Sequence, residues 1–365
     1  MKSVTRRQFL KLLAAGSGAV IYNSILSGCA TDATPQYPEL QPETVEQATP
    51  TSESLPLDNV SVPTLPQETI PICSSQNDSP CETAAPAQQP LEPAQATVGN
   101  PDLVVARNAE PEELVRKALL ALGGMERFVP KGSFVIIKPN ICTDYYPYEY
   151  AATTNPWVIG SLVKLCIAAG AKKVQVMDFP FGGSAKSAYK KSGIQEQVEA
   201  ANGEMIVMPE FMFIDTPIPL GKAIKSWMVY EDALKADVFI NVPIAKHHSL
   251  ARLTLGMKNL MGIVQNRSGL HPNLGQRLAD LTSLVRPTLT VIDAVRILTD
   301  NGPTGGNLDD VKKLDTIIVS PDIVAADSYA TTLFDMKPDD IAYIRAAAEM
   351  GLGSKDLNSL LITEL

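Results

Sequence analysis

From residue 101 onward, short β-rich runs alternate with segments of helical period, and few folds satisfy that alternation. "SFVIIK" (133–138) is apolar almost throughout, as a strand buried on both faces must be. Asn155-Pro156 then predicts a helix start, with Asn as N-cap and Pro in the first turn, where its missing N–H is no loss. Ile159, Leu162, Val163 and Cys166 keep helical spacing, and Gly170 stops the segment. "KKVQVMD" is the next strand, followed by the helix "GIQEQVEAANG", the strand "EMIVM", the helix "YEDALKA" and the strand "DVFINV". "LTVID" and "TIIVS" are later strands, and "DIVAADSYATTLF" is a later helix. This order predicts an α/β domain: a mostly parallel sheet with helices on both faces. Residues 211–229, around "PLGK", predict a small hairpin insertion.

The first hundred residues have another character. A basic start precedes an apolar run that is short and Gly/Ser-rich for a membrane-spanning helix. Thr5-Arg6-Arg7-Gln8-Phe9-Leu10-Lys11 resembles a twin-arginine export signal. Leu26-Ser27-Gly28-Cys29 resembles the lipobox of bacterial lipoproteins, which implies lipidation of Cys29. Residues 30–100 hold no Lys or Arg, ten Asp or Glu, and twelve of the 28 prolines, a composition that predicts a long disordered tether. The expected organisation is therefore a signal over 1–28, a tether over 29–100 and the α/β domain over 101–365. That domain has a net charge of −3 and no basic–aromatic stripe, so nucleic acid is not an expected partner. Cys73 and Cys81 could close a disulfide loop after export. No CxxC occurs, so no iron–sulfur cluster is expected from this chain.

Polar groups gather where strands end, which is where open α/β sheets bind ligands. "SFVIIK" ends in Lys138-Pro139-Asn140, and "KKVQVMD" ends in Asp178. "DVFINV" carries Asn241 and runs into Lys246, His247 and His248. "LTVID" ends in Asp293, a turn containing Gly302, Gly305 and Gly306 follows, and Asp322 and Asp327 follow "TIIVS". Each also has a local reading: Asp178 and Asp322 as helix caps, the glycines as a turn. Lys246 and His248 are two apart, which puts them on one face of an extended segment and His247 on the other.

"KPN", "TTNP", "AGAKKVQVMD", "NVPIAKHH", "GMKNLMG", "DNGPTGG" and "DIVAAD" together resemble the domain of unknown function 362 family over about residues 105–335. Its Asn-x-Pro…Lys-x-His…Lys-Asn-x-x-Gly segment maps onto Asn241, Pro243, Lys246, His248, Lys258, Asn259 and Gly262. Ile244 departs from the family, which often carries Lys there. The resemblance implies no reaction.

The residue types favour an enzyme acting on a small anionic molecule, a carboxylate or a phosphate. His248, Lys246 and Asp178 are the expected catalytic groups, with His248 as general acid or base. Lys138, Asn140, Asn241, Lys258, Asn259 and the backbone N–H groups of Gly302, Gly305 and Gly306 are the expected substrate contacts. Asp293 and Asp327 are candidates for a divalent metal ion. The alternatives are a non-catalytic ligand-binding or assembly module and a redox-associated protein. The other expected partners are the twin-arginine export machinery and a membrane reached through the lipid anchor. The expected location is extracytoplasmic, in a bacterial cell envelope. Replacing Cys29 with Ser should move the protein from the membrane fraction to the soluble one. Equal membrane retention of both forms would overturn the anchor.

Overall fold

Apolar strands need cover on both faces, and residues 99–365, which this computed structural model describes, supply it. The signal, the lipobox Cys29, the tether up to residue 98 and the Cys73–Cys81 pair lie outside the described residues. In chain order the elements begin β1 (Leu103–Arg107), α1 (Pro111–Ala121), β2 (Phe134–Pro139), α2 (Pro156–Ala168), β3 (Lys173–Val176), α3 (Ala185–Lys191), α4 (Ile194–Ala200) and β4 (Glu204–Met205). There follow β5 (Phe213–Pro217), β6 (Ser226–Tyr230), α5 (Glu231–Lys235), β7 (Val238–Val242), β8 (Ile244–His248), β9 (Arg252–Thr254) and α6 (Gly256–Asn259). The chain closes with α7 (Leu274–Leu284), β10 (Leu289–Leu298), β11 (Val311–Ser320), α8 (Ile323–Ala330), α9 (Ala342–Glu349) and β12 (Ile362–Glu364).

The main sheet runs β12-β1-β11-β10-β7-β2-β3-β4, and β8 extends it by pairing with β10 beyond the end of β7. Among these eight strands only β11 is reversed, antiparallel to both β1 and β10. Alternate residues serve opposite faces. Ile136, Phe239 and Ile292 face one apolar core with α7, α8 and α9, while Val135, Ile137 and Ile240 face the other with α1, α2 and α4. The α/β expectation, with helices on both faces, is met. So is the hairpin: β5 and β6 form a separate antiparallel pair. Buried Asp280 on α7 pins its turn by accepting from the N–H groups of Lys222, Ala223 and Ile224. Trp227 on β6 donates to the Gln265 carbonyl at 2.8 Å, so the hairpin braces the segment after α6.

The chain leaves β2 through α2 to reach β3 on one side. It leaves β7 through α6 and α7 to reach β10 on the other. The strand order therefore reverses between β2 and β7, whose ends pair in register at Lys138–Asn241. The helix after β2 starts as the sequence predicts. Asn155 Oδ1 accepts from Trp157 N at 3.0 Å, and Gly170 closes the far end at φ +96°.

The two carboxylates named as metal candidates have backbone partners. Asp293 accepts from the N–H groups of Asn155 at 2.6 Å and Val295 at 3.0 Å. Asp327 accepts from Gly256 at 2.6 Å and Met257 at 2.9 Å. Both are buried, and each ties the start of a helix to a distant element. Reversal of β11 also places Asp322 at the opposite sheet edge, where it caps α8 through Val324 and Ala325. Replacing Asp327 with Ala would leave two buried N–H groups unpaired. The expected loss is about 3 kcal/mol in urea unfolding, and a loss below about 1 kcal/mol would show that water or a shift replaces the carboxylate.

Candidate functional site

Three strand ends and the segment after β9 meet around a cavity of about 390 Å³. Its floor is a buried polar network. The Lys138 ammonium, fully buried, lies 2.8 Å from Asp178 Oδ1, 2.8 Å from the Pro139 carbonyl and 3.0 Å from Asn259 Oδ1. Asp178 Oδ2 accepts from Ile141 N at 2.5 Å, while Oδ1 is charge-paired with Lys138 but off the axis of a hydrogen bond. Gly262 lies against this pair. A Cβ there would collide with both Asp178 Oδ1 and Lys138 Nζ, which explains the glycine that closes "GMKNLMG".

Lys246 is equally buried but has no carboxylate partner. It donates to Asn140 Oδ1 at 2.9 Å, the Ala152 carbonyl at 2.6 Å and the Pro303 carbonyl at 2.9 Å. Burial pulls the pKa of both lysines down. Three acceptors match the three protons of the Lys246 ammonium, and Lys138 has two acceptors and a paired carboxylate, so each cradle favours the charged form. Asn140 then donates to Asn259, Asn259 to Asn241, and Asn241 to the Gly256 carbonyl, each at 2.9 Å. The motif asparagines thus bind one another. Asn241 lies below the cavity and positions Asn259.

His248 Nδ1 accepts from the N–H groups of Leu250 at 3.1 Å and Ala251 at 3.3 Å. Those bonds require an unprotonated Nδ1. Burial, reinforced by the nearby Lys258 and Lys246 charges, pushes its pKa down to about 3. His248 is therefore neutral at physiological pH, with Nε2–H as its remaining donor. His247 points away, as its spacing predicts, and its Nδ1 accepts from Gly302 N at 3.1 Å.

The Gly-rich turn also departs from expectation. Gly302 N binds His247 and Gly305 N binds the Asn301 carbonyl, and neither these glycines nor Gly306 lines the cavity. The turn contributes a carbonyl, that of Pro303, which accepts from Lys246 and from the Cys142 thiol at 3.3 Å. Burial raises the Cys142 pKa and keeps it a thiol. Among the described residues no three His, Cys, Asp or Glu side chains gather as metal ligands.

Lys258 is different from the other two lysines. It lines the cavity, is half-buried, and has no carboxylate within ion-pair distance among the described residues. Desolvation lowers its pKa to about 8, helped by Lys246, Arg267 and Lys138. Arg267 and His271 also line the cavity, and sequence reasoning missed both. They lie between α6 and α7, where neither periodicity nor a strand end marks a site. Arg267 donates to the Pro180 carbonyl at 3.2 Å and stacks 4.8 Å from the Phe179 ring centroid. The walls and rim are apolar: Phe179, Met261, Phe181 and Leu250.

The family described as Domain of unknown function (DUF362) matches residues 135–332. The Thylakoid-associated protein sll1697 of Synechocystis sp. is 28% identical over 247 residues, covering 65% of this chain and 74% of its own. Among solved structures, the lactate racemase apoprotein from Thermoanaerobacterium thermosaccharolyticum aligns with a TM-score of 0.39 at 14% identity, covering 58% of this chain and 53% of that one. A structural-genomics target from Thermotoga maritima aligns with a TM-score of 0.40 at 11% identity, covering 62% of this chain and 60% of that one. This chain thus spans less than two thirds of either solved relative.

The lowered pKa of Lys258 has a signed consequence for stability. Its folded pKa of about 8 lies below the ordinary 10.5, so the folded state disfavours the proton. The penalty is full below pH 8 and fades as pH rises to 10.5. Lys258→Met should therefore be more stable than the parent at pH 7, with the gap closing between pH 8 and 10.5. Urea titrations across that range check this, and a constant or opposite gap would overturn the assignment.

Proposed function

The chain belongs to the DUF362 family, and on that footing we propose that its strand-end cavity binds a small organic or phosphorylated anion and acts on it. The observation that carries this reading is the charge of the cavity. Lys246, Lys258 and Arg267 outnumber the one carboxylate of the lining, Asp178, which Lys138 already pairs. Cations crowded in a partly desolvated space repel one another, and an anion relieves that repulsion. Lys258 and Arg267 are the contacts that remain for it, and His248 Nε2–H is a neutral donor beside them. Asp178 and Lys246 serve by positioning.

For location, we propose that the exported, lipid-anchored form is the mature one, held in a bacterial cell envelope through Cys29. The twin-arginine run and the Leu-Ser-Gly-Cys sequence support this, and the name of the Synechocystis relative associates that protein with a membrane. Among the described residues no helix is long and apolar enough to cross a membrane.

Phosphate or acetate titrated into the full-length chain should raise its Tm by mass action. At 100 times Kd the gain is about 2.7 kcal/mol, roughly 5 °C for a domain of this size. Lys258→Ala and Arg267→Ala should each remove most of that rise, and His247→Ala should keep it. If no anion raises the Tm, or if His247→Ala abolishes the response equally, the reading fails.

A further inference from the structure

We propose, building on the anion-binding reading, that Lys258 is a reactive amine that condenses with the carbonyl group of a 2-oxo acid held in the cavity. The geometry separates it from its neighbours. Lys138 and Lys246 also border the cavity, but both are buried and each is held by three partners. Lys258 has no side-chain hydrogen bond and no ion pair among the described residues, and it lines the open space. An amine meant only to hold an anion gains from staying protonated. This one is placed among cations and away from carboxylates, which favours the free base.

The groups that face it are Lys138 on β2, Cys142 beyond it, Lys246 and His248 on β8, and Arg267 and His271 after α6, with Asp178 tied to Lys138. Their net effect with desolvation brings its pKa to about 8. At pH 7 about one tenth of the side chain is then free amine, roughly 300 times the fraction of an ordinary lysine.

The neighbours define the substrate class. The Arg267 guanidinium suits a carboxylate, which its planar fork can grip through two N–H groups. His248 Nε2–H suits a carbonyl oxygen. Phe181 and Leu250, 56% and 65% exposed at the rim, suit an apolar substituent. A carbonyl one bond away from a carboxylate, with an apolar group beyond, presents those features together. In the reaction the nitrogen lone pair attacks the carbonyl carbon and the C=O π pair moves to oxygen, which takes a proton. The resulting carbinolamine loses that oxygen as water, together with a nitrogen-bound proton. Amine and ketone are thereby exchanged for imine and water, and the protons pass through cavity water with no oxidant or reductant required.

The test is reductive trapping. The full-length chain is incubated with pyruvate or phenylpyruvate and sodium cyanoborohydride, then peptide-mapped by mass spectrometry. The expected result is one reduced adduct on Lys258, with an initial rate that is half-maximal near pH 8. Arg267→Gln should slow it at least tenfold. Lys258→Arg should abolish the adduct while keeping the phosphate-induced rise in Tm. Labelling of Lys258 no faster than of the exposed Lys131, or a midpoint near 10.5, would overturn the proposal. Phosphate stabilisation without an adduct overturns this inference alone, whereas absence of the stabilisation overturns the anion-binding reading.

Discussion

The buried pair between Lys138 and Asp178 is the contact on which the site depends. Taking two charges out of water costs several kcal/mol each, and their attraction offsets this only with good geometry and further hydrogen bonds. The charges are 2.8 Å apart, and the further hydrogen bonds are present. Lys138 has two neutral acceptors besides the carboxylate, and Asp178 holds the Ile141 amide. The pair joins the end of β2 to the end of β3, and Gly262 lets the segment after α6 rest directly on it. An apolar replacement could be as stable, but it would not fix three chain segments in one register. The pair's contribution here is positional.

That position follows from topology. At the reversal of strand order, α2 departs to one face and α6 with α7 to the other, so the backbone opens beyond the ends of β2 and β7. The opening exposes polar backbone that must be paired. Asn241 and Asn259 pair it through the carbonyls of Gly256, Lys138 and Pro139, and Asn140 links Asn259 to Lys246. This accounts for the density of polar residues over 241–262. Most of them bind the scaffold, and only a few reach the ligand space.

Sequence reasoning succeeded where local chemistry decides conformation. Strand and helix alternation, the Asn155 cap and the opposite facing of His247 and His248 all follow from period and capping preference. It fell short where the partner is distant in sequence. Asp293 and Asp327 each look like a free carboxylate after a strand, yet their partners are amides 138 and 71 residues away. Reversal of β11 leaves no mark in the apolar pattern of "TIIVS". Arg267 has no motif, and its place in the cavity depends on the hairpin bracing of Gln265 and on Phe179.

The three lysines show why residue type alone could not assign roles. In sequence, Lys138, Lys246 and Lys258 are equivalent cations near strand ends. In the folded protein two are saturated with acceptors and become part of the scaffold, and their fixed charges become the environment of the third. A charge that cannot move or be neutralised lowers the proton affinity of a neighbour more reliably than a mobile surface lysine, which water and salt would screen. The charge contribution to the lowered pKa of Lys258 therefore rests on the immobility of Lys246 and Lys138, and that immobility rests on the carbonyls of Ala152, Pro303 and Pro139, whose positions the backbone alone determines.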